Sequence, residues 1–347
     1  MDAFLNDLKF NCDVSDARYW GFFSICGLLM RYLELYRSEQ GIAPWETVPR
    51  DEIAAWIQRK ESRWQELERM DFRSLTIGGG TYGPFETAGI NDALAPQGLV
   101  YGAGQGMYLK PTFFLAELSS VREASGHTVY TSGRELARDL FSSPAMLQEK
   151  RIFLRREPLT TLLWEKYSAS RRGGGSALED AFASYGFRPG ETVNEDFIGR
   201  LERMTDRYLE VLLRHELAES VESVPQWKDI LASLGDRKAE HYLRALKDLI
   251  ADTSDQGPFR AIIDSEDRGS LGLTVGLMEG YRSVLYPEMK QAYASFRRDR
   301  DWALIEEARK RGHERFKQDR LAVLNLHGGM GGEEFILAVR NMIDQAR

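Results

Sequence analysis

Between Ser15 and Tyr36, apolar side chains recur at Phe22, Cys26, Leu29, Leu33 and Tyr36, a spacing that gathers them on one side of an α-helix. Ser15 stands where a cap is needed, and Gly41 ends the pattern. Within it, the apolar stretch Tyr19 to Met30 falls short of the ~20 residues a bilayer span requires, so it predicts a buried helix. A second amphipathic helix is expected over Asp51–Met70, where Ile53, Trp56, Ile57, Trp64 and Leu67 alternate with charges. The pattern then changes. Residues 77–106 hold nine glycines plus Pro84 and Pro96, which break helices and favour turns or short strands, Leu99–Tyr101 being one. Pro111 is suited to open a helix through about Glu123, and the β-branched and aromatic residues between Gly126 and Gly133 predict a strand. Helices are expected at Arg134–Phe141 and Pro158–Tyr167.

From Asn194 onward the helical spacing dominates, over 194–222, 225–234, 236–252, 258–264, 270–285, 287–317 and 333–346. RRGGGS at 171–176 and the irregular stretch through Gly190 separate this half from the first. The expected organisation is therefore two domains, 1–170 and 191–347, and the fold class is mainly α: a helical bundle with a small β element near residues 98–133. No fixed-period repeat points to a solenoid or a propeller.

Charge narrows the function. The chain's 46 Lys and Arg against 53 Asp and Glu give a net charge of −7, which argues against a nucleic-acid partner held by phosphate contacts. Cys12 and Cys26 cannot build a disulfide framework or a four-thiolate zinc site, and they fit a reducing cytoplasm. Residues 1–16 carry four acids and one Lys, unlike a secretion signal. No membrane partner is expected; a small molecule or another protein is.

The segment YLEVLLRHELAESVE, 208–222, holds the most informative chemistry. Helical geometry of about 100° per residue puts Leu201, Tyr208, Leu212, His215 and Glu219 on one stripe, with Glu216 beside it. An imidazole and carboxylates converging there suit a divalent metal, Zn, Fe or Mn. The motif is HExxE, which replaces the second His of the zinc-protease signature with Glu219. Glu117, in PTFFLAELSSV, is the second unusual acid, since Phe113, Phe114, Leu118 and Val121 would bury it at helical spacing. If the two segments meet, Glu117, His215 and Glu219 are the metal ligands and Glu216 is the catalytic general base, the division of labour of metal-assisted hydrolysis. The plainer roles are a buried His paired to an acid, and for Glu117 an ion pair with Arg134 or Arg138. The paired ExxH motifs of di-iron bundles are missing.

Other motifs carry less. GAGQG, 102–106, followed by Lys110, has the spacing of neither a Rossmann nor a Walker loop, so no nucleotide is expected. HGGMGGEE, 327–334, reads as a flexible connection, because Glu333 and Glu334 would oppose an anion at the following helix. Asp248 with Asp252, Glu279, and Arg134 with Arg138 read first as surface or ion-pair residues. A competing function is a noncatalytic helical adaptor or regulatory module that binds a protein through Trp45, Trp56 and Trp64, residues that equally suit a core.

The segments YGAGQGMYLKPTFFLAEL, SGRELARDLFSSPAMLQ and RHELAES resemble those of an uncharacterised bacterial protein family known only as a domain of unknown function. The resemblance covers Leu99 to Leu285 and implies no activity. Metal-assisted hydrolysis remains the most concrete expectation.

Overall fold

The computed structural model describes residues 1–170 and 176–346. The chain divides into two units, Met1–Glu165 and Lys166–Arg347. Residues 171–175, most of the glycine-rich segment expected to separate two domains, lie outside the described residues. No helix among those described is long and apolar enough to cross a membrane.

The first unit begins with α1 (Asp2–Tyr19), α2 (Ile25–Gln40) and α3 (Arg50–Leu67), then a hairpin of β1 (Leu75–Ile77) and β2 (Gly80–Tyr82), and α4 (Thr87–Leu94). A five-stranded sheet follows, of β3 (Leu99–Gln105), β4 (Pro111–Ala124), β5 (His127–Arg138), β6 (Ala145–Gln148) and β7 (Arg151–Arg155). Its spatial order is β3-β4-β5-β7-β6, with β5 and β7 parallel and the other neighbours antiparallel. Helix α5 (Arg156–Ser170) comes next. The chain is predominantly helical, as expected, but the β element is substantial rather than small.

Two expected helices are strands. Residues 111–123 form β4, and the expected helix Arg134–Phe141 is largely the end of β5. Thr112 to Ala116 are all buried because both faces of β4 are covered: Phe113 and Leu115 pack with Phe4, Leu8 and Cys12, while Phe114 and Ala116 pack with Val100 and Phe153. A strand covered on both faces shows a continuous apolar run, which periodicity alone cannot separate from a buried helix. The glycines of β3 have a packing cause: a Cβ on Gly102 would lie 2.0 Å from the ring of Phe114, its cross-strand partner. Residues 102–105 of GAGQG are therefore sheet. Lys110 beyond it is consumed in the interior by Asp16 (3.1 Å) and Asp139 (2.9 Å).

The expected helix Ser15–Tyr36 is also two elements. α1 ends at Tyr19, and α2 begins after Ser24, whose Oγ accepts from Gly27 N at 3.2 Å. Gly41 does end α2, in the left-handed region at φ 66°. The apolar stretch is not buried: Ile25 is 81% exposed and Leu29 54%. α2 packs through Tyr32, Leu35 and Tyr36 instead. α1 turns polar residues inward, each met from far along the chain. Asn11 pairs with the backbone of Arg73, Asp13 with Lys60 and Arg63, and Asp16 with the amide of Leu140.

The second unit is helical: α6 (Ala177–Ser184), α7 (Glu195–Glu222), α8 (Gln226–Ser233), α9 (Arg237–Thr253), α10 (Pro258–Asp264), α11 (Arg268–Gly276), α12 (Gly280–Leu285), α13 (Pro287–Asp299), α14 (Trp302–Gly329) and α15 (Gly332–Gln345). α9 packs against α7, α10, α12, α14 and α15. Its face of Tyr242, Leu243, Leu246, Leu249 and Ile250 is buried. α14 runs through Gly329, so the expected flexible connection shrinks to two residues before α15.

Arg309 on α14 is 2% exposed and is satisfied by the carbonyl of Thr253 (2.6 Å), by Asp255 (2.9 Å) and by Glu306 (2.7 Å). Hydrogen bonds from Arg309, then the charges of Arg309 and Arg260, hold the Glu306 carboxyl at about 2, below its ordinary 4.5. A depressed acid contributes its stability in full above the ordinary value and loses it as pH falls towards the depressed one. Glu306→Gln should therefore cost about 1 kcal/mol at neutral pH, discounted for solvent screening. Urea titrations of both proteins should show that difference vanish as pH falls from 4.5 towards 2; a difference independent of pH would reject the assignment.

Candidate functional site

Two helices build the candidate site. Asn194 caps α7 by accepting from Phe197 N at 2.9 Å, and Asp236 caps α9 by accepting from Ala239 N at 2.8 Å. The α7 stripe runs from buried Leu201 and Tyr208 to His215 and Glu219, so polar residues continue an apolar face towards α9. There, Lys247, Asp248 and Asp252 meet them.

His215 is held from both sides. Its Nδ1 lies 2.7 Å from Asp252 Oδ1, and its Nε2 lies 3.7 Å from Glu219 Oε2. Asp252, 2% exposed, is also bonded by Arg282 of α12, while Lys247 Nζ sits 2.6 Å from Glu219 Oε1. One ligand atom from each of His215, Glu219 and Asp248 lies within 4.8 Å of the other two. The side chain of Asp248 makes no hydrogen bond among the described residues.

The electrostatics follow from burial set against these neighbours. Burial, the strongest single influence on His215, opposes its charge, yet Asp252, aided by Asp248 and Glu216, pushes the imidazole up to about 10. Burial likewise opposes ionisation of Asp252, but Arg282 and His215 keep its carboxyl below the usual range. Asp248 goes the other way: burial raises it, against the pull of His215, Lys247 and Arg282. Glu216, 7% exposed, is pushed up to about 7, chiefly by burial. The arrangement combines an oriented imidazole, two carboxylates within ligand reach and a buried carboxyl whose pKa is raised.

Residues 3–155 match the N-terminal domain, and residues 160–346 the C-terminal domain, of a family of unknown function, DUF6866. The chain belongs to the DUF6866 family. No curated protein matches it, and no solved structure does.

In this DUF6866 chain, the residues singled out by sequence divide between the two units. His215 and Glu219 come together with α9, and Glu216 is buried next to them on α7. Glu117 stands on β4 in the N-terminal unit, its side chain 49% exposed, where Arg134 Nη2 holds it at 2.9 Å. The helix that would have buried it is a strand, and the acid faces outward on the exposed half of that strand. Glu117→Ala should accordingly change stability by no more than about 1 kcal/mol, the usual worth of an exposed pair; a larger loss in urea titration would contradict that placement. Of the other acids, Glu279 pairs with Lys166 and is mostly exposed.

Asp248 and Asp252 were the residues that sequence reasoning set aside. Their signal was legible: two like charges one turn apart repel unless a cation joins them, and both lie on a helix with a strongly apolar face. Lys247 and Arg282 gave no comparable signal. Of the tryptophans weighed for an adaptor surface, Trp56 at 5% and Trp64 at 2% exposure belong to the core with Tyr32 and Tyr36, while Trp45 is half-buried and edge-on against Trp164.

Proposed function

We propose that the DUF6866 cluster between α7 and α9 is a divalent-metal site serving hydrolysis, with His215, Glu219 and Asp248 as ligands and Glu216 as general base. One observation carries this reading. Asp252 engages Nδ1 of His215 at 2.7 Å, which leaves Nε2 facing Glu219, the carboxylate–imidazole arrangement that orients metal-ligating histidines. One imidazole with two carboxylates suits Zn, Fe or Mn. A bound ion of this kind supplies Lewis-acid polarisation and an acidified water.

The chain's own residues supply the rest. Asp252 holds the ring plane of His215 by accepting from Nδ1, Arg282 fixes Asp252, and the proton on Nε2 would give way to a bound ion. Glu216, buried beside the ligands, would serve as the base that accepts a proton from water. Lys247 neutralises one oxygen of Glu219 and leaves the other directed at His215. The free thiols Cys12 and Cys26 accord with a reducing cytoplasm as the place of work, and a small molecule fits this reading better than a nucleic acid.

A noncatalytic reading is favoured by a different observation: Lys247 on Glu219 and Arg282 on Asp252 already balance much of the cluster as an ionic lock. Elemental mass spectrometry on tag-free protein purified without chelators separates the two. Near-stoichiometric metal is expected in the wild type and little in Asp248→Asn or His215→Ala, with circular dichroism unchanged. Equal trace metal in all three would sink the metal site. With metal established, Glu216→Gln should keep the ion and lose turnover of ester, phosphoester or peptide probes.

A further inference from the structure

A cavity of about 550 Å³ opens in the N-terminal unit between α1 and α3, within the range of small-molecule sites. Five cationic side chains line it, Lys9, Lys60, Arg63, Arg73 and Arg138, against two acids, Asp13 and Glu39. Arg138 is paired with Glu135 at 3.2 Å and Arg73 with Asp7 at 3.0 Å, so part of this positive charge is balanced from outside the lining, in a chain whose net charge is −7.

Both acids are already spent. Asp13 Oδ1 accepts from Lys60 at 3.0 Å and from Trp64 at 3.4 Å, while its Oδ2 accepts from Arg63 Nε at 2.6 Å. Glu39 takes Lys60 at 2.8 Å on one oxygen and Trp56 at 2.8 Å on the other.

The cations retain unused donors. Arg63 is fixed through Nε, and its two terminal nitrogens bond nothing among the described residues. Arg73 lies 3.7 Å above the face of Phe10 and is tied by Nη1 to Asp7 at 3.0 Å, with Nη2 unbonded among the described residues. Lys9 has no partner among the described residues. Two guanidinium groups, each held by one ion pair, and an exposed ammonium around one cavity are a donor set suited to oxyanions, which guanidinium binds through paired N–H groups. Leu67, Ala137 and Cys12 give the cavity an apolar wall for the rest of a ligand. Burial, then the neighbouring carboxylates, pushes the Cys12 thiol well up, so it serves as wall and not as nucleophile.

We propose that this cavity binds a small polyanion, a phosphate ester or a polycarboxylate, through Arg63, Arg73 and Lys9. The site belongs to the N-terminal unit and does not depend on the metal reading of α7 and α9. Isothermal titration calorimetry on the full chain, stripped with chelator and dialysed to low ionic strength, tests it with sodium pyrophosphate and sodium citrate as probes. Saturable one-to-one binding is expected with at least one probe, weakening as salt is raised. Arg63→Gln should reduce affinity about ten-fold, the worth of one charge-assisted contact, and Lys9→Gln about three-fold, as a single exposed charge. Pyrophosphate bound with citrate ignored assigns phosphorylated ligands; the converse assigns polycarboxylates. No saturable heat with either probe overturns the proposal, as does affinity unchanged in both variants. Should Arg63→Gln fail to fold, Lys9→Gln, which removes no contact of the fold, decides alone.

Discussion

Asp139→Ala is expected to destabilise the N-terminal unit by about 3–5 kcal/mol, the cost of breaking a buried ion pair from one side. Asp139 is fully buried. It accepts from Lys110 Nζ at 2.9 Å, Thr112 Oγ1 at 2.7 Å, Phe113 N at 2.6 Å and Phe141 N at 2.7 Å. Alanine leaves two backbone amides and a hydroxyl without this acceptor, and leaves the Lys110 ammonium, 4% exposed, with Asp16 as its one carboxylate beside the neutral oxygens of Ser15 and Pro111. Burial opposes the charge on Lys110, and Asp139 is the larger of the two carboxylate influences that keep its pKa above the ordinary value. The backbone is also committed to this anchor. Tyr108 and Leu109 adopt φ of 58° and 54° immediately before Lys110, a left-handed geometry that costs non-glycine residues about 1–3 kcal/mol each. Urea unfolding followed by tryptophan fluorescence measures the effect. A loss below about 1 kcal/mol would mean that this charged centre is not what ties β4 to α1.

The second large effect belongs to Asp252. Asp252→Ala should cost about 2–4 kcal/mol, less than a fully buried pair because Arg282 keeps some exposure. It removes the partner of Arg282 and the acceptor for Nδ1 of His215 together. On the metal reading, the freed imidazole also loses its orientation, and metal affinity should fall about 10–100-fold, the usual consequence of deleting a partner behind a ligating histidine. The two outcomes separate the roles of the residue. A stability loss with unchanged metal affinity would leave Asp252 as a lock between α9 and α12; a fall in both would make it a positioning residue for His215. Denaturant titration and competition with a chromophoric chelator read the two quantities independently.

Much of the second unit was legible because α7, α9 and α14 carry the helical spacing along their length. His215, Glu216 and Glu219 were readable for the same reason, since one turn of one helix places them. Glu117 was misplaced by the same rule: Phe113, Phe114, Leu118 and Val121 fit a helix, but β4 is covered on both faces and the run continues into an exposed strand. The stretch after Tyr19 failed differently. Its apolar residues at Ile25 and Leu29 face outward, while α1 sends Asn11, Asp13 and Asp16 inward, each satisfied by a partner that no local pattern announces.

The sequence by itself determined the predominance of helix, the stripe that carries His215 and Glu219, and the absence of a helix fit to cross a membrane among the described residues. Each follows from side chains three or four apart, which chain geometry alone brings together. Only the tertiary structure decided the five-stranded sheet, the neutralisation of Glu117 by Arg134, and the joining of His215 to Asp252. Those depend on contacts between distant residues: Asp16 reaches the amide of Leu140 across 124 positions, and His215 reaches Asp252 across 37. A buried charge is tolerable only where such a partner arrives. The residue type announces that need, and the fold alone says which partner meets it.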